Sequence, residues 1–341
     1  VSRLPDLPGV LSAEEVATTA ESITALQLAN GMIPWFEGGH CDPWNHVETA
    51  MALDVAGRHQ EAERAYEWLV ATQRPDGAWH NYYRSDGSVE DAKLDTNVCA
   101  YVAAGVWHHW LCTWDRAFVD HLWPTVERAL DWVLTLQQRD GTILWAREEE
   151  SCPWDYALLT GSCSIWHALE CGVRLADLIN EPRAHWALAA HDLRTAIVEQ
   201  PEAFEPKVRW AMDWYYPVLT GALRGEGAKA RLAESWDLFV LDGRGVRCVN
   251  DEPWVTAAET AECSLAHAAI GDLDTAIDLL RWTRAHRCDD GAYTTGLVYP
   301  EQTTFPAAER TAYTSAAVIL AADAIDRASN ASALFLHTEP D

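Results

Sequence analysis

Two kinds of helical segment alternate along nearly the whole of this chain. Apolar residues recur with a 3.6-residue period, and with very little strand signal, over 12–29, 43–57, 59–73, 94–112, 116–138, 154–178, 183–200, 207–224, 227–240, 254–270, 272–287 and 307–326. The first opens on Ser12-Ala13-Glu14-Glu15, an N-cap serine with its capping-box partner. One kind, such as 58–73 or 118–138, carries a charged face and is expected on the outside. The other, such as 97–107 or 264–271, is rich in small apolar residues and nearly free of charge, as a helix buried on most sides must be.

The connections alternate in step. Inner-to-outer links are short and marked by Gly57 or Gly271, whereas outer-to-inner links are long and carry Pro75-Asp76-Gly77, Asp140-Gly141, Asp242-Gly243 and Asp289-Asp290-Gly291. All long links therefore gather on one face. Internal similarity agrees: Trp154 to Gly161 resembles Trp214 to Gly221, and Gln73 to Trp79 is echoed by Gln138 to Gly141 followed by Trp145. Six outer/inner pairs closing in a ring make an all-α (α/α)6 toroid, a six-hairpin barrel. An open solenoid is the alternative. One domain over 1–341 is expected, with 1–11 and 328–341 as flexible termini.

Charge narrows the partners. With 52 acidic against 25 basic side chains the formal net charge is -27, which repels phosphate backbones and anionic membranes, so neither nucleic acid nor membrane is expected. Neutral substrates remain. The nine Cys contain no C-x-x-C pair and suggest buried thiols in a reducing compartment, and the opening residues carry no basic-then-apolar leader; both point to a cytoplasmic location. No Walker-type lysine, Rossmann fingerprint or closely spaced Cys/His set is present, so neither cofactor nor metal is expected. The oligomeric state is left open.

On this frame the chemistry falls in the long links and the first turns of inner helices. The densest link runs Pro34-Trp35-Phe36-Glu37-Gly38-Gly39-His40-Cys41-Asp42-Pro43-Trp44, followed by Glu48 within the helix; another gives Glu252-Pro253-Trp254, then Glu259 and Glu262. Glu48 and Glu262 each stand nine positions before the Gly that ends their helix, so they are expected at equal depth. A carboxyl in an apolar helix is costly unless paired or used, and burial raises its pKa, which is what a general acid requires. Glycoside hydrolysis needs two such groups. Glu262 is expected as acid and Asp42 as base, with Glu48 the first substitute for either. Structural roles compete: Asp42 also reads as an N-cap, and either glutamate as an ion-pair partner.

The chain has 18 Trp. Trp35, Trp44, Trp79, Trp145, Trp154, Trp214 and Trp254 recur in the long links or at inner-helix starts, with Tyr156, Tyr215 and Tyr293 nearby. Their flat faces suit the C–H faces of sugars, while His40, Asp95 and Asn97 offer polar partners. Packing of the rim is the competing role for these aromatics.

Gln73-Arg74-Pro75-Asp76-Gly77-Ala78-Trp79 matches the Q-x-x-x-G-x-W repeat of squalene–hopene cyclases and resembles turns of prenyltransferase subunits, which implies a toroid. Asp272-Leu273-Asp274-Thr275 only partly matches the cyclases' acidic motif. Over about 12–326, through the link Trp35 to Glu48 and the run Glu252-Pro253-Trp254 to Glu262, the chain resembles the actinobacterial methylmannose polysaccharide hydrolases. That resemblance implies an endo-acting α-mannosidase on a neutral, methylated polysaccharide, expected to invert. An isoprenoid cyclase or prenyltransferase, a sugar lyase or epimerase, and a glycan-binding scaffold without catalysis are the alternatives.

Overall fold

A computed structural model describes residues 3–148 and 152–338. All twelve expected helical segments are present: α1 (Ala13–Thr24), α2 (Pro43–Val55), α3 (His59–Thr72), α4 and α5 (Thr96–Ala100, Val102–Thr113), α6 (Arg116–Leu134), α7 (Leu159–Leu178), α8 (Ala184–Glu199), α9 (Ala211–Leu219), α10 and α11 (Gly225–Glu234, Trp236–Phe239), α12 (Ala257–Ala269), α13 (Leu273–Trp282) and α14 (Ala312–Asp326). Two segments are broken, at Tyr101 and Ser235. A short α15 (Ser332–Leu336) follows.

The ring closes. Inner helix α2 packs on α5, α5 on α7, α7 on α9, α9 on α12, α12 on α14, and α14 returns to α2. Each inner helix also packs on an outer one: α2 on α3, α5 on α6, α7 on α8, α9 on α10, α12 on α13. The sixth pair joins the two ends of the chain, α14 with α1. This is an (α/α)6 toroid. One continuous apolar cluster runs from Val10 to Leu336, with α2 and α14 buried along almost their whole length. That burial is why their sequences carry so few charges.

A repeated turn holds neighbouring outer helices together. Gln73 Nε2 donates to the Gly77 carbonyl at 2.9 Å and to the Thr125 carbonyl of α6 at 2.9 Å. Gln137 does the same to Gly141 and to Ala189 of α8, and Gln27 to Gly31 and to Glu61 of α3. The echo of Gln73 is thus Gln137, one position before the Gln138 read from sequence. Gly77 and Gly141 sit at φ +98 and +87, and a Cβ on either would lie 2.3 or 2.5 Å from a carbonyl oxygen of the next outer helix. Only glycine permits so close an approach.

Three expectations change. Several inner helices begin later than their periodicity suggests: α12 at Ala257, after the extended Trp254–Thr256, and α14 at Ala312, after a turn in which Ala308 takes φ 57. Trp254–Thr256 pairs antiparallel with Gly296–Val298, which pairs with Thr303–Thr304, and Leu94–Asp95 pairs with Ala146–Arg147. These short ribbons build the rim over the ring. The described parts of the termini are packed instead of loose. Val10 and Leu11 are buried, as are Leu334 and Phe335, and Arg3 pairs with Asp326, so apolar burial anchors both ends. Residues 1–2 and 339–341 lie outside the described residues.

Candidate active site

The inner helices present their N-terminal ends to one hollow of about 400 Å³. Asp42, Trp44, Asn45 and Glu48 enter it from α2, Asp95, Asn97 and Val98 from α4 and its cap, and Glu259 and Glu262 from α12. Thr160, Tyr216 and Tyr313 come from α7, α9 and α14, while Trp35, Tyr82, Lys93, Trp145 and Trp254 descend from the rim. Helix N-termini carry partial positive charge, so convergent ends favour the gathering of carboxylates that the net charge alone would oppose.

Asp42 is both the N-cap of α2 and a wall of the hollow. Its Oδ1 accepts from the Asn45 amide at 2.9 Å, and its Oδ2 from Trp35 Nε1 and Asn45 Nδ2, each at 2.7 Å. Burial raises its pKa, and these donors oppose the rise by favouring the anion. The N-cap expected of this residue is formed, and the same side chain faces the hollow.

Glu262 is held by two phenols. Tyr215 donates to its Oε2, and Tyr216 to its Oε1 at 3.2 Å. Burial nevertheless dominates and, with the charge of Glu259, pushes the carboxyl up to about 8, so it keeps its proton at neutral pH. Glu48 is only 4% exposed, and its carboxyl makes no hydrogen bond with the described residues. Burial, followed by the charges of Glu262 and Asp42, raises it well above the usual carboxylate range. Three acidic groups therefore share one buried space, and each proton lost makes the next harder to remove.

Across the hollow Asp95 caps α4 through the Asn97 amide and accepts from Trp145 Nε1; burial lifts it to about 6. Lys93 Nζ stands 4.4 Å from the Trp145 ring centroid, and Trp154 and Tyr156 pack against Trp145 at 4.4 and 5.6 Å. Near Asp42, Trp35 is propped by His40 at 4.5 Å and by Tyr313 at 4.9 Å. Trp44 stacks on Tyr101 at 4.4 Å and donates to Ser164 Oγ at 3.0 Å.

The structure thus brings Asp42, Glu48, Glu262, Trp35, Trp44, Asp95, Asn97, Trp145 and Trp254 to one cavity, with His40, Trp154 and Tyr156 supporting its aromatic walls. Six expected ligand-binding aromatics do not line it: Trp154 and Tyr156, which only back its wall, and Trp79, Trp214, Tyr215 and Tyr293. Trp79 is fully buried and donates to the Leu69 carbonyl, so the Gln73 to Trp79 motif is a turn and a core anchor, not a substrate platform. Trp214 stacks on Phe239 behind the wall and donates to the Arg231 carbonyl. Tyr293 is 1% exposed, and Tyr215 meets Glu262 from within the core. Asp272 N-caps α13 and pairs with His267, a structural role.

Sequence reading did not single out Asn45, Tyr82, Lys93, Tyr216 and Tyr313. Asn45 stands three positions after an N-cap, and Tyr216 beside Tyr215, so each had a local signal. Tyr82 and Lys93 had none, because the hairpin that places them folds across the rim. No helix of the described residues is long and apolar enough to cross a membrane, and no group of three His, Cys, Asp or Glu among them is placed to hold a metal ion.

No family model matches the chain. It is 51% identical, over 97% of its length and 92% of the relative's, to the MMP endo-(1,4)-3-O-methyl-α-D-mannosidase of Mycolicibacterium hassiacum. A wild-type glycosidase structure superposes with a TM-score of 0.74 at 15% identity, covering 93% of this chain and 97% of that one. The cellobiose 2-epimerase of Spirochaeta thermophila reaches 0.69 at 13% identity, covering 92% and 96%. These two likenesses concern the toroid itself.

Proposed function

Because the chain belongs to the glycoside hydrolase family of the MMP endo-(1,4)-3-O-methyl-α-D-mannosidase, we propose that it cuts internal α-1,4 bonds of a neutral, 3-O-methylated mannose polysaccharide by inversion, with Glu262 as general acid and Asp42 as general base. The observation that carries the assignment is Glu262: a carboxyl pushed up to about 8 and aimed by two tyrosines into a tryptophan-lined hollow that it shares with Asp42.

In this reading Glu262 gives its proton to the glycosidic oxygen as the bond from that oxygen to the anomeric carbon breaks. A water attacks the anomeric carbon from the opposite face, and its proton passes to Asp42. Trp35 and Asn45 orient Asp42 and favour its anion against the effect of burial. Burial and the charge of Glu259 hold the proton on Glu262, and Glu48 is the substitute for either role. Trp35, Trp145 and Trp254 offer faces to sugar C–H groups and methyls, while Asp95 and Asn97 take hydroxyls. No cofactor enters the scheme. Buried thiols at Cys41, Cys99, Cys163, Cys171 and Cys263 support a reducing, cytoplasmic setting.

Incubation with methylated and unmethylated α-1,4-manno-oligosaccharides, read by mass spectrometry and by proton NMR of the first product, tests this. Shortened chains bearing a β-anomer are expected. Unchanged chain lengths would refute the hydrolysis, and an α-anomer formed first would refute inversion.

A further inference from the structure

The central hollow, at about 400 Å³, lies near the lower end of the roughly 300–1,000 Å³ typical of small-ligand pockets. An enzyme cutting inside a polymer must seat sugars on both sides of the bond it breaks. A second hollow of about 460 Å³ lies directly beside the first. Thr160 and Met212 line the central cavity, and their chain neighbours Leu159 and Asp213 line the second one. Thr160 Oγ1 donates to Asp213 Oδ1 at 2.7 Å within this shared wall.

The second hollow is unusually apolar for an exposed place. Val208, Trp210 and Leu238, which line it, are 74%, 43% and 44% exposed, and they are three of the nine large apolar side chains exposed among the described residues. Contiguous apolar exposure of this kind marks a binding surface. The Trp210 ring is also held in place. Arg209 covers it at 5.4 Å and is itself fixed by Asp251 at 2.8 Å, while the Trp210 backbone pairs with Val249.

Charge selects the occupant. Glu202, Glu205, Asp213 and Glu234 line the hollow, and its one lining cation, Arg231, is engaged with the carbonyls of Asp213 and Trp214. Phosphates, nucleic acid and anionic lipid are repelled. A neutral ligand with apolar faces and hydroxyl edges is not.

We propose that this hollow is an accessory subsite that takes the sugar units of the same neutral α-glycan lying beyond the central cavity. Trp210 is its stacking platform, Val208 and Leu238 flank the methyl groups, and Asp213 accepts from hydroxyls at the junction. This rests on the function proposed above and extends it to the length of chain that is bound.

Trp210→Ala and Val208→Ser test it, assayed on methylmannose polysaccharide and on a methylated α-1,4-mannotetraose. KM for the polymer is expected to rise roughly five- to tenfold, with kcat changed by less than about twofold and a much smaller rise in KM for the tetraose. An equal rise on both substrates, or none on the polymer, overturns the subsite while wild-type cleavage of the tetraose still upholds the function. Wild-type protein inert on both substrates sinks the function and the subsite together.

Discussion

Tyr216 donates its hydroxyl to Glu262 Oε1 at 3.2 Å, reaching from α9 to a carboxyl carried by the adjacent inner helix α12. The preceding residue, Tyr215, donates to the other oxygen of the same group. A carboxyl bound on both oxygens is fixed in direction, and its proton affinity is set by the balance between burial, which raises it, and these donors, which lower it.

Tyr215→Phe removes one of the two lowering contacts. A general acid works only while protonated, so activity falls as pH rises through the pKa of Glu262, near 8 in the intact site. The variant's alkaline limb should move to higher pH, with kcat reduced. A pH–rate profile checks this, and an unmoved or lowered limb removes Tyr215 from control of the acid.

Glu262→Gln and Asp42→Asn should each cut kcat by about 10²–10⁴, the usual worth of a general acid or base. Circular dichroism should be unchanged, since each amide keeps the shape of the side chain and one accepting oxygen. Near-normal turnover in either variant takes that residue out of the pair.

Glu262→Gln should also stabilise the protein in a pH-dependent way. A carboxyl whose folded pKa is raised favours the folded state below its unfolded value and weakens it progressively as pH rises toward the folded value. The variant's advantage should be absent near pH 4, grow up to about pH 8, and then level. One pKa unit corresponds to about 1.4 kcal/mol, so a gain in Tm of about 2 °C or more is expected at pH 8. Thermal melts at both pH values decide; a gain equal at pH 4 and pH 8 contradicts the linkage.

At the other end of α2, Asp54 accepts from the buried His109 Nδ1 at 2.9 Å and from His59 Nδ1 at 2.9 Å. Burial raises its pKa, but the two imidazoles outweigh it and hold it below the usual value. Its contribution is therefore present above the ordinary Asp range and lost on acidification through the folded pKa. Asp54→Ala strands the His109 ring and should cost about 2–4 kcal/mol, while the pH profile of turnover stays in place. Melting and kinetics on one preparation test both halves, and an unchanged melt rejects the account.

The helical frame was legible because its signals are local. Ser12 does accept from the Glu15 amide as its capping box requires, and the uncharged stretches around Val102 and Leu265 are inner helices buried as their composition demands. Loop length, with the spacing of Glu48 and Glu262 to the glycines that end their helices, assigned Asp42, Glu48 and Glu262 to a common face, and they share a cavity. The aromatics were harder. Trp79, Trp214 and Trp145 look alike in sequence, yet the first two are packing residues and the third lines the hollow, because the direction of a side chain leaving a turn depends on the neighbouring helix it meets.

Periodicity, capping residues and turn chemistry act within a few positions of one another, so the chain's own order determined six helix pairs, their inner and outer faces, and the side on which acidic groups collect. Ring closure through α14 and α1, the paired phenols on Glu262, and the hairpin that brings Lys93 and Tyr82 over the cavity were decided by tertiary structure. Those contacts join residues far apart in the chain, and their energy comes from burial that exists only once the ring has formed.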